Sequence, residues 1–222
     1  MSSNKDAFVP FEHESFSNEE MLFRARQMRD FSEKRRSIRF FSDKNFPESI
    51  LEEIILTANT APSGAHKQPW TFCLVKDKKL KQKIREAAEK EEYDSYHGRM
   101  SETWLKDLEP FGTNWEKPFI ETVPYLIIVF KRVFELDKGE KKNNYYVNES
   151  VGIACGMLIN AIHNAGLCTL THTPSPMNFL SKILNRPENE RPFLLLPVGL
   201  PHEKCEVPNI KRKSLDEVLV RY

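Results

Sequence analysis

Arg35, Arg36, Ser37 and Arg39 fall within the five residues "RRSIR". Guanidinium groups and a hydroxyl meet phosphate oxygens through charge-assisted, often bidentate bonds, so the cluster is a candidate phosphate clamp; the plainer alternative is a solvated basic turn. A second basic run, Lys211 to Lys213 with Arg212 at its centre, can flank the same anion. Between a helical pattern and a strand-like run lies "TAPSGAHKQPW", Thr60 to Trp70. Its prolines stiffen it, and Ser63-Gly64-Ala65 removes side-chain bulk, so backbone N–H groups can face a ligand; otherwise it is a tight turn with Trp70 in the core. "THTP", Thr171 to Pro174, sits at the end of a predicted strand, a common place for ligands, although threonine there is usually only a strand former. Glu92 and Tyr96 are four apart on a predicted helix and share a face, with Lys117 following across a long connection. Carboxylate, phenol and ammonium together answer the charges of a zwitterion; apart, they are a helix end and an unrelated lysine.

The elements that must position these groups follow from periodicity. Ser17 and Glu20 have capping-box spacing before "SNEEMLFRARQMRDF", whose Met21, Leu22, Met28 and Phe31 can share one helical face. "PESILEEIILTANTAP" places Ile50, Leu51, Ile54, Ile55 and Ala58 at helical spacing, with Pro47 at its start and Pro62 past its end. "TFCLVKD" is a short strand, and Asp77 caps a charged helix with Leu80, Ile84, Ala87 and Ala88 inward. The segment "HGRMSETWLKDLEPFGTNWEKPF" has weak periodicity and many aromatics, and is expected to be an ordered loop acting as a lid. "VPYLIIVFKR" lacks polar alternation and should be a strand buried on both faces. A long helix follows, with a Val147, Val151, Ala154, Cys155, Leu158, Ile162 stripe, Gly166 as its stop, and Gly152 and Gly156 leaving room for another helix. Strands at "LCTLTHT" and "RPFLLLPVGLP" bracket a short helix, and the polar tail has no core of its own. The order predicts an α+β fold, a mixed sheet flanked by helices, as one domain over 1–222. Within it, 1–30 is an N-terminal arm and helix, about 90–118 a lid, and about 203–222 a C-terminal extension.

Composition excludes several classes. The 222 residues are 40% hydrophobic and 29% charged with net charge +1, ordinary for a soluble domain and without general attraction for nucleic acid or anionic membranes. Cys73, Cys155, Cys168 and Cys205 form no C-x-x-C pair and read as reduced, buried thiols; no His/Cys grouping suits a metal. No signal-peptide core or membrane-length apolar run is present, so a soluble, cytoplasmic protein is expected. The usual glycine-rich dinucleotide and NTP motifs are absent.

"RRSIRFF" followed by "ILTANTAPSGAHKQPWTFCLV" resembles the nitroreductase-like flavoprotein family. With "EKEEYDSYHGRM", "GTNWEKPF", "ESVGIACGMLINAIHNAGL", "THTP", "LLLPVGLP" and "VPNIKRKSLDEV", the resemblance narrows to the iodotyrosine deiodinase branch of that family, and the lid segment is its specific part. The resemblance implies an intertwined homodimer with two FMN sites built from both chains. It implies FMN contacts from Arg35, Arg36, Ser37, Ile38, Arg39, Pro62, Ser63, Gly64, Thr171, His172, Thr173 and Arg212. Thr173 would act catalytically as the hydrogen bond to flavin N5, favouring stepwise electron transfer from the reduced flavin. Glu92, Tyr96 and Lys117 would grip the ammonium and carboxylate of a halotyrosine, and the Ala65 N–H its phenolate oxygen. NAD(P)H or another reductant would supply the electrons. The implied activity is reductive dehalogenation of 3-iodotyrosine to tyrosine and iodide. Two other readings of the same residues are a broad FMN nitroreductase or quinone reductase, which needs no zwitterion lid, and a flavin-binding interaction protein.

Overall fold

The computed structural model describes residues 8–222; the first seven residues of the expected arm lie outside the described residues. The chain divides into two compact units, residues up to Arg35 and Arg36–Tyr222. In the first, helix α1 (Asn18–Glu33) begins where the Ser17 hydroxyl accepts the Glu20 N–H. The reciprocal half of the expected capping box is not made, because the Glu20 carboxylate pairs with Arg24 at 2.6 Å. Met21, Leu22, Phe23 and Met28 of α1 stay about half exposed.

The second unit is built on one four-stranded sheet. In chain order come α2 (Glu48–Asn59), β1 (Trp70–Val75), α3 (Lys78–Asp94), α4 (Glu102–Leu108), α5 (Phe119–Thr122) and β2 (Tyr125–Arg132). A hairpin β3 (Phe134–Asp137) and β4 (Glu140–Asn143), α6 (Val147–Asn164), β5 (Cys168–Thr169), α7 (Asn178–Ile183) and β6 (Glu190–Gly199) follow. The sheet order is β1-β2-β6-β5, and its ladders are antiparallel. A parallel bridge between Ser37 and Thr169 makes it mixed.

Successive strand side chains point to opposite faces, and here both faces are covered. Tyr125, Ile127, Val129, Leu194, Leu196 and Val198 pack with Leu51, Ile54 and Ala58 of α2 and the Val151–Ile162 stripe of α6. Leu126, Ile128, Phe130 and Leu195 face the other way, onto Ile84 and Ala88 of α3, Phe119 and Ile120 of α5 and Leu180 of α7. The unbroken apolar run of β2 is therefore explained by burial on both sides.

Several expectations are corrected. The lid is not an irregular loop: Ser101 caps α4 by accepting the Trp104 N–H, and left-handed Gly112 closes the turn after it. The weak apolar period misled because α4 is mostly solvent-facing. The β3–β4 hairpin was not foreseen; its turn is Lys138-Gly139, both at positive φ. The "LCTLTHT" strand is paired as a strand only at Cys168–Thr169, then by a bridge at His172 to Leu195. Among the cysteines only Cys155 is buried; Cys73, Cys168 and Cys205 are half-buried, and all four are free thiols. No helix among the described residues is long and apolar enough to cross a membrane.

Candidate active site

The C-terminal turn of α3 carries Glu92, and Tyr96 lies one turn on, in a wider π turn over Ser95–Arg99. Lys117 returns across the lid and meets Glu92 at 3.3 Å. Its Nζ also donates to the Asn114 carbonyl and lies 5.5 Å from the centre of the Tyr96 ring. The Lys117 backbone N–H is anchored on Glu89, itself held by Arg85 at 2.8 Å. The three residues expected to grip a zwitterion thus converge in one place. Lys117 is only 4% exposed, and burial pushes its pKa below the usual lysine value against the opposing pull of Glu92. Burial raises the Tyr96 phenol, Glu92 adds to that rise, and a hydrogen bond with Thr113 opposes it. Asn114 and Thr113 were missed by sequence reading; their only local signal was the turn-forming "GTN" ahead of Lys117.

Arg39 reaches the same place from the other end of the unit. Ser37 bridges Thr169, and the Ile38 N–H donates to the Thr169 carbonyl at 3.1 Å, laying residues 37–39 beside β5. Alternation then buries Ile38 and leaves Ser37 and Arg39 half-exposed. The Ile38 side chain joins the core on the α3 side of the sheet. The Arg39 guanidinium is lowered by burial, with Tyr96 as its opposing electrostatic neighbour. Among the described residues no carboxylate answers this cation, whereas the cations Arg85, Arg99 and Arg186 each have one.

The same alternation sorts 171–173. Thr171 and Thr173 are exposed, and His172 is 6% exposed. The His172 ring packs edge-on to Phe119 with centroids 5.7 Å apart, and its N–H and C=O both pair with Leu195. The His172 ring faces inward, away from the two exposed threonine side chains, and its backbone N–H and C=O are both paired. Its Nε2 is buried without a partner among the described residues, and burial, helped by Lys117 and Arg39, lowers its pKa to about 3. It is neutral at physiological pH.

The segment from Pro62 to Trp70 is strained. Ala65, His66 and Gln68 adopt φ of 50°, 54° and 46°, each at a cost of about 1–2 kcal/mol for a residue with a Cβ. Ser63 offsets part of that cost, its hydroxyl accepting the Gln68 N–H at 2.9 Å. Ala65 is exposed, and among the described residues nothing accepts its N–H. Gly64 is small for a reason not anticipated: a Cβ there would meet the Tyr146 ring at 2.8 Å and the Tyr145 carbonyl at 3.1 Å. The Gly64 N–H donates to the Ser150 hydroxyl at 3.4 Å. His66, exposed, turns to Gln68, with 2.9 Å between its Nε2 and the amide nitrogen. Tyr146 and Ser150 carried no signal, since they adjoin the segment only through the packing of α2 on α6.

Of the basic residues, Arg36 donates to the Pro208 carbonyl and ties the start of this unit to the tail, four residues before Arg212. Lys211, Arg212 and Lys213 are exposed. Arg35 ends the other unit, where its N–H donates to the Ser32 carbonyl at 3.2 Å.

A family model described as the nitroreductase family matches residues 33–200. The chain belongs to the nitroreductase family. Within it, the chain is 58% identical over 98% of its length to an iodotyrosine deiodinase of Haliscomenobacter hydrossis, 99% of which is covered. It is 45% identical, over 98% of its length and 81% of the relative, to an iodotyrosine deiodinase of Hydra vulgaris. Among solved structures it resembles an oxidized iodotyrosine deiodinase bound to FMN and 3-iodo-L-tyrosine, with a TM-score of 0.76 and 33% identity over 88% of this chain and 98% of the other. This member of the family therefore shares its fold with a protein that holds both a flavin and an amino acid.

Proposed function

We propose that this chain is an FMN-dependent reductive dehalogenase of halotyrosines, converting 3-iodotyrosine to tyrosine and iodide. The observation that carries the reading is the pairing of half-buried Glu92 with buried Lys117, 3.3 Å apart beside Tyr96. A broad nitroreductase has no use for a paired carboxylate and ammonium under a lid; an amino acid needs both. The deiodinase relatives, one of them 58% identical, support the same reading.

The donor set fits FMN. Arg39 is a half-buried cation without a carboxylate of its own among the described residues, Thr171 and Thr173 are exposed just past the Ser37–Thr169 bridge, and Ala65 exposes an amide. Arg36, Ser37 and Arg212 would hold the phosphate and ribityl chain, Pro62 to Gly64 would border the ring, and Thr173 would donate to its N5 atom. When bound and reduced, FMN supplies the two electrons that, with one proton, replace the carbon–iodine bond by carbon–hydrogen and release iodide. The protein's part is placement. Glu92 would accept from the substrate ammonium, and Lys117 and Tyr96 would donate to its carboxylate. The Ala65 N–H would donate to the phenolate oxygen, a fixed dipole that needs no side-chain ordering. The lid from Tyr96 to Lys117 would close over the aromatic ring and exclude water.

The half-exposed apolar side chains of α1, the open face of α6 at Gly152, Ile153 and Gly156, and the exposed apolar residues of the tail support a homodimer. NAD(P)H or another reductant would recharge the flavin. The test is to mix anaerobically reduced protein with 3-iodotyrosine and measure free iodide. Iodide stoichiometric with reduced flavin is expected, and a flavin-loaded protein that releases none would refute the assignment.

A further inference from the structure

Three successive carbonyls of the strained segment, those of Gln68, Pro69 and Trp70, all accept from a single residue. The Arg132 backbone N–H donates to Pro69 at 2.9 Å, and its Nη2 donates to Gln68 at 3.1 Å and to Trp70 at 3.2 Å. The guanidinium is itself oriented: Nη1 lies 3.3 Å from Glu135, and Glu135 also accepts from Asn144 at 3.2 Å. Asn144 closes the circuit by donating to the Arg132 carbonyl at 2.9 Å. It also precedes Tyr145 and Tyr146, which pack closely against Gly64. The Arg132 Nε and the Asn144 Oδ1 are buried without partners among the described residues, a cost retained where the guanidinium must point at the carbonyls.

We infer that Arg132 is a positioning residue for the Ala65 amide. A run with Ala65, His66 and Gln68 in the left-handed region relaxes unless its surroundings over-determine it. Ser63 pins its middle, the Tyr146 side pins its start, and Arg132 pins its end. With the guanidinium removed, the Gln68 carbonyl keeps the Trp70 N–H at 2.8 Å but loses its second donor, so its direction is less constrained and the Ala65 N–H loses its aim. This rests on the reading that the Ala65 N–H meets a halotyrosine phenolate. It adds a specificity element outside the lid: recognition of the ring oxygen depends on a residue of β2.

The experiment compares two probes in the FMN-loaded protein, 3-iodotyrosine and 3-iodophenylalanine, which keeps the iodine, ammonium and carboxylate but lacks the oxygen. Arg132→Met is expected to raise the Kd for iodotyrosine by about tenfold, the loss of one well-aimed donor to an anion. The Kd for iodophenylalanine should stay within about twofold. The pH profile of iodotyrosine binding should shift upward, because the bound phenol loses a group that favours its ionised form. Arg132→Lys, which restores a cation able to reach one carbonyl, should recover part of both effects. Equal weakening of the two probes would reduce Arg132 to general scaffolding and overturn the inference, as would no weakening of either. If Arg132→Met does not hold flavin, Glu135→Gln loosens the guanidinium from behind, and an unchanged ratio of the two affinities there would overturn it as well. Wild-type protein that binds both probes equally refutes the Ala65 contact, and wild-type protein that binds neither refutes the dehalogenase reading, so the failures are distinguishable.

Discussion

Replacing Glu92 by glutamine preserves side-chain volume and removes the charge that faces buried Lys117 under the lid. At the observed 3.3 Å, and at the effective dielectric of about 20 that suits protein sites, the attraction to Lys117 is roughly 5 kcal/mol before desolvation. Lys117 nevertheless titrates below an ordinary lysine, so burial outweighs that attraction in the ligand-free protein. The variant has two consequences. With a halotyrosine bound, the substrate ammonium loses a buried, charge-assisted partner, worth about 2–5 kcal/mol, or roughly 30- to 5,000-fold in Kd. Lys117 also loses the carboxylate that supports its charge, so its pKa falls further. The charged lysine is the form that holds the substrate carboxylate, so affinity is lost as pH rises through the Lys117 pKa. In Glu92→Gln that alkaline decline should therefore begin at lower pH than in the wild type. Quenching of flavin fluorescence by iodotyrosine, titrated from neutral to alkaline pH, measures both effects. A Kd changed less than about threefold, with an unshifted alkaline limb, would refute the assignment of Glu92 to the ammonium.

Three further outcomes are expected. His172 has its pKa lowered to about 3 from 6.5, so the unfolded chain binds a proton there that the folded chain refuses. Its contribution is complete above pH 6.5 and is lost at about 1.4 kcal/mol per unit as pH falls toward about 3, roughly 5 kcal/mol in all. His172→Gln should flatten the acid limb of urea-denaturation midpoints against pH, and a parallel curve would contradict the burial argument. Gly64→Ala forces a Cβ against the Tyr146 ring and should cost about 1–3 kcal/mol in denaturant unfolding while weakening iodotyrosine binding; neutrality in both would mean the 60–70 segment moves freely. Arg36→Gln and Arg212→Gln should each lower FMN affinity by roughly tenfold to a hundredfold, measured by dialysis and flavin absorbance. Unchanged flavin retention in both would remove them from the phosphate site.

Much of the site was legible because its parts are local. Glu92 and Tyr96 share a face by helical spacing alone, and Ser17, Asp77 and Gly166 punctuate helices by rules that reach only four residues. The two-faced burial of β2 was readable from its unbroken apolar run. Other features depended on neighbours distant in the chain. Ile38 resembles its basic flanks in position, but pairing beside Thr169 turned it inward. His172 sits between two threonines in sequence, yet the two-residue period of its bridge to Leu195 sent it to the opposite side. The α4 helix escaped notice because a solvent-facing helix carries no apolar stripe.

The amino-acid sequence by itself determined the helices with an apolar stripe, the buried central strands, and which residues had the chemistry to hold a phosphate and a zwitterion. Those are properties of side chains and of backbone periods, and both are written locally. Only the tertiary structure decided that residues 39, 92, 96, 117 and 172 share one neighbourhood, that Lys117 and His172 are desolvated there, and that Arg132 braces the segment carrying the Ala65 amide. Desolvation and convergence arise from what packs around a group, and the packing here joins residues more than a hundred positions apart.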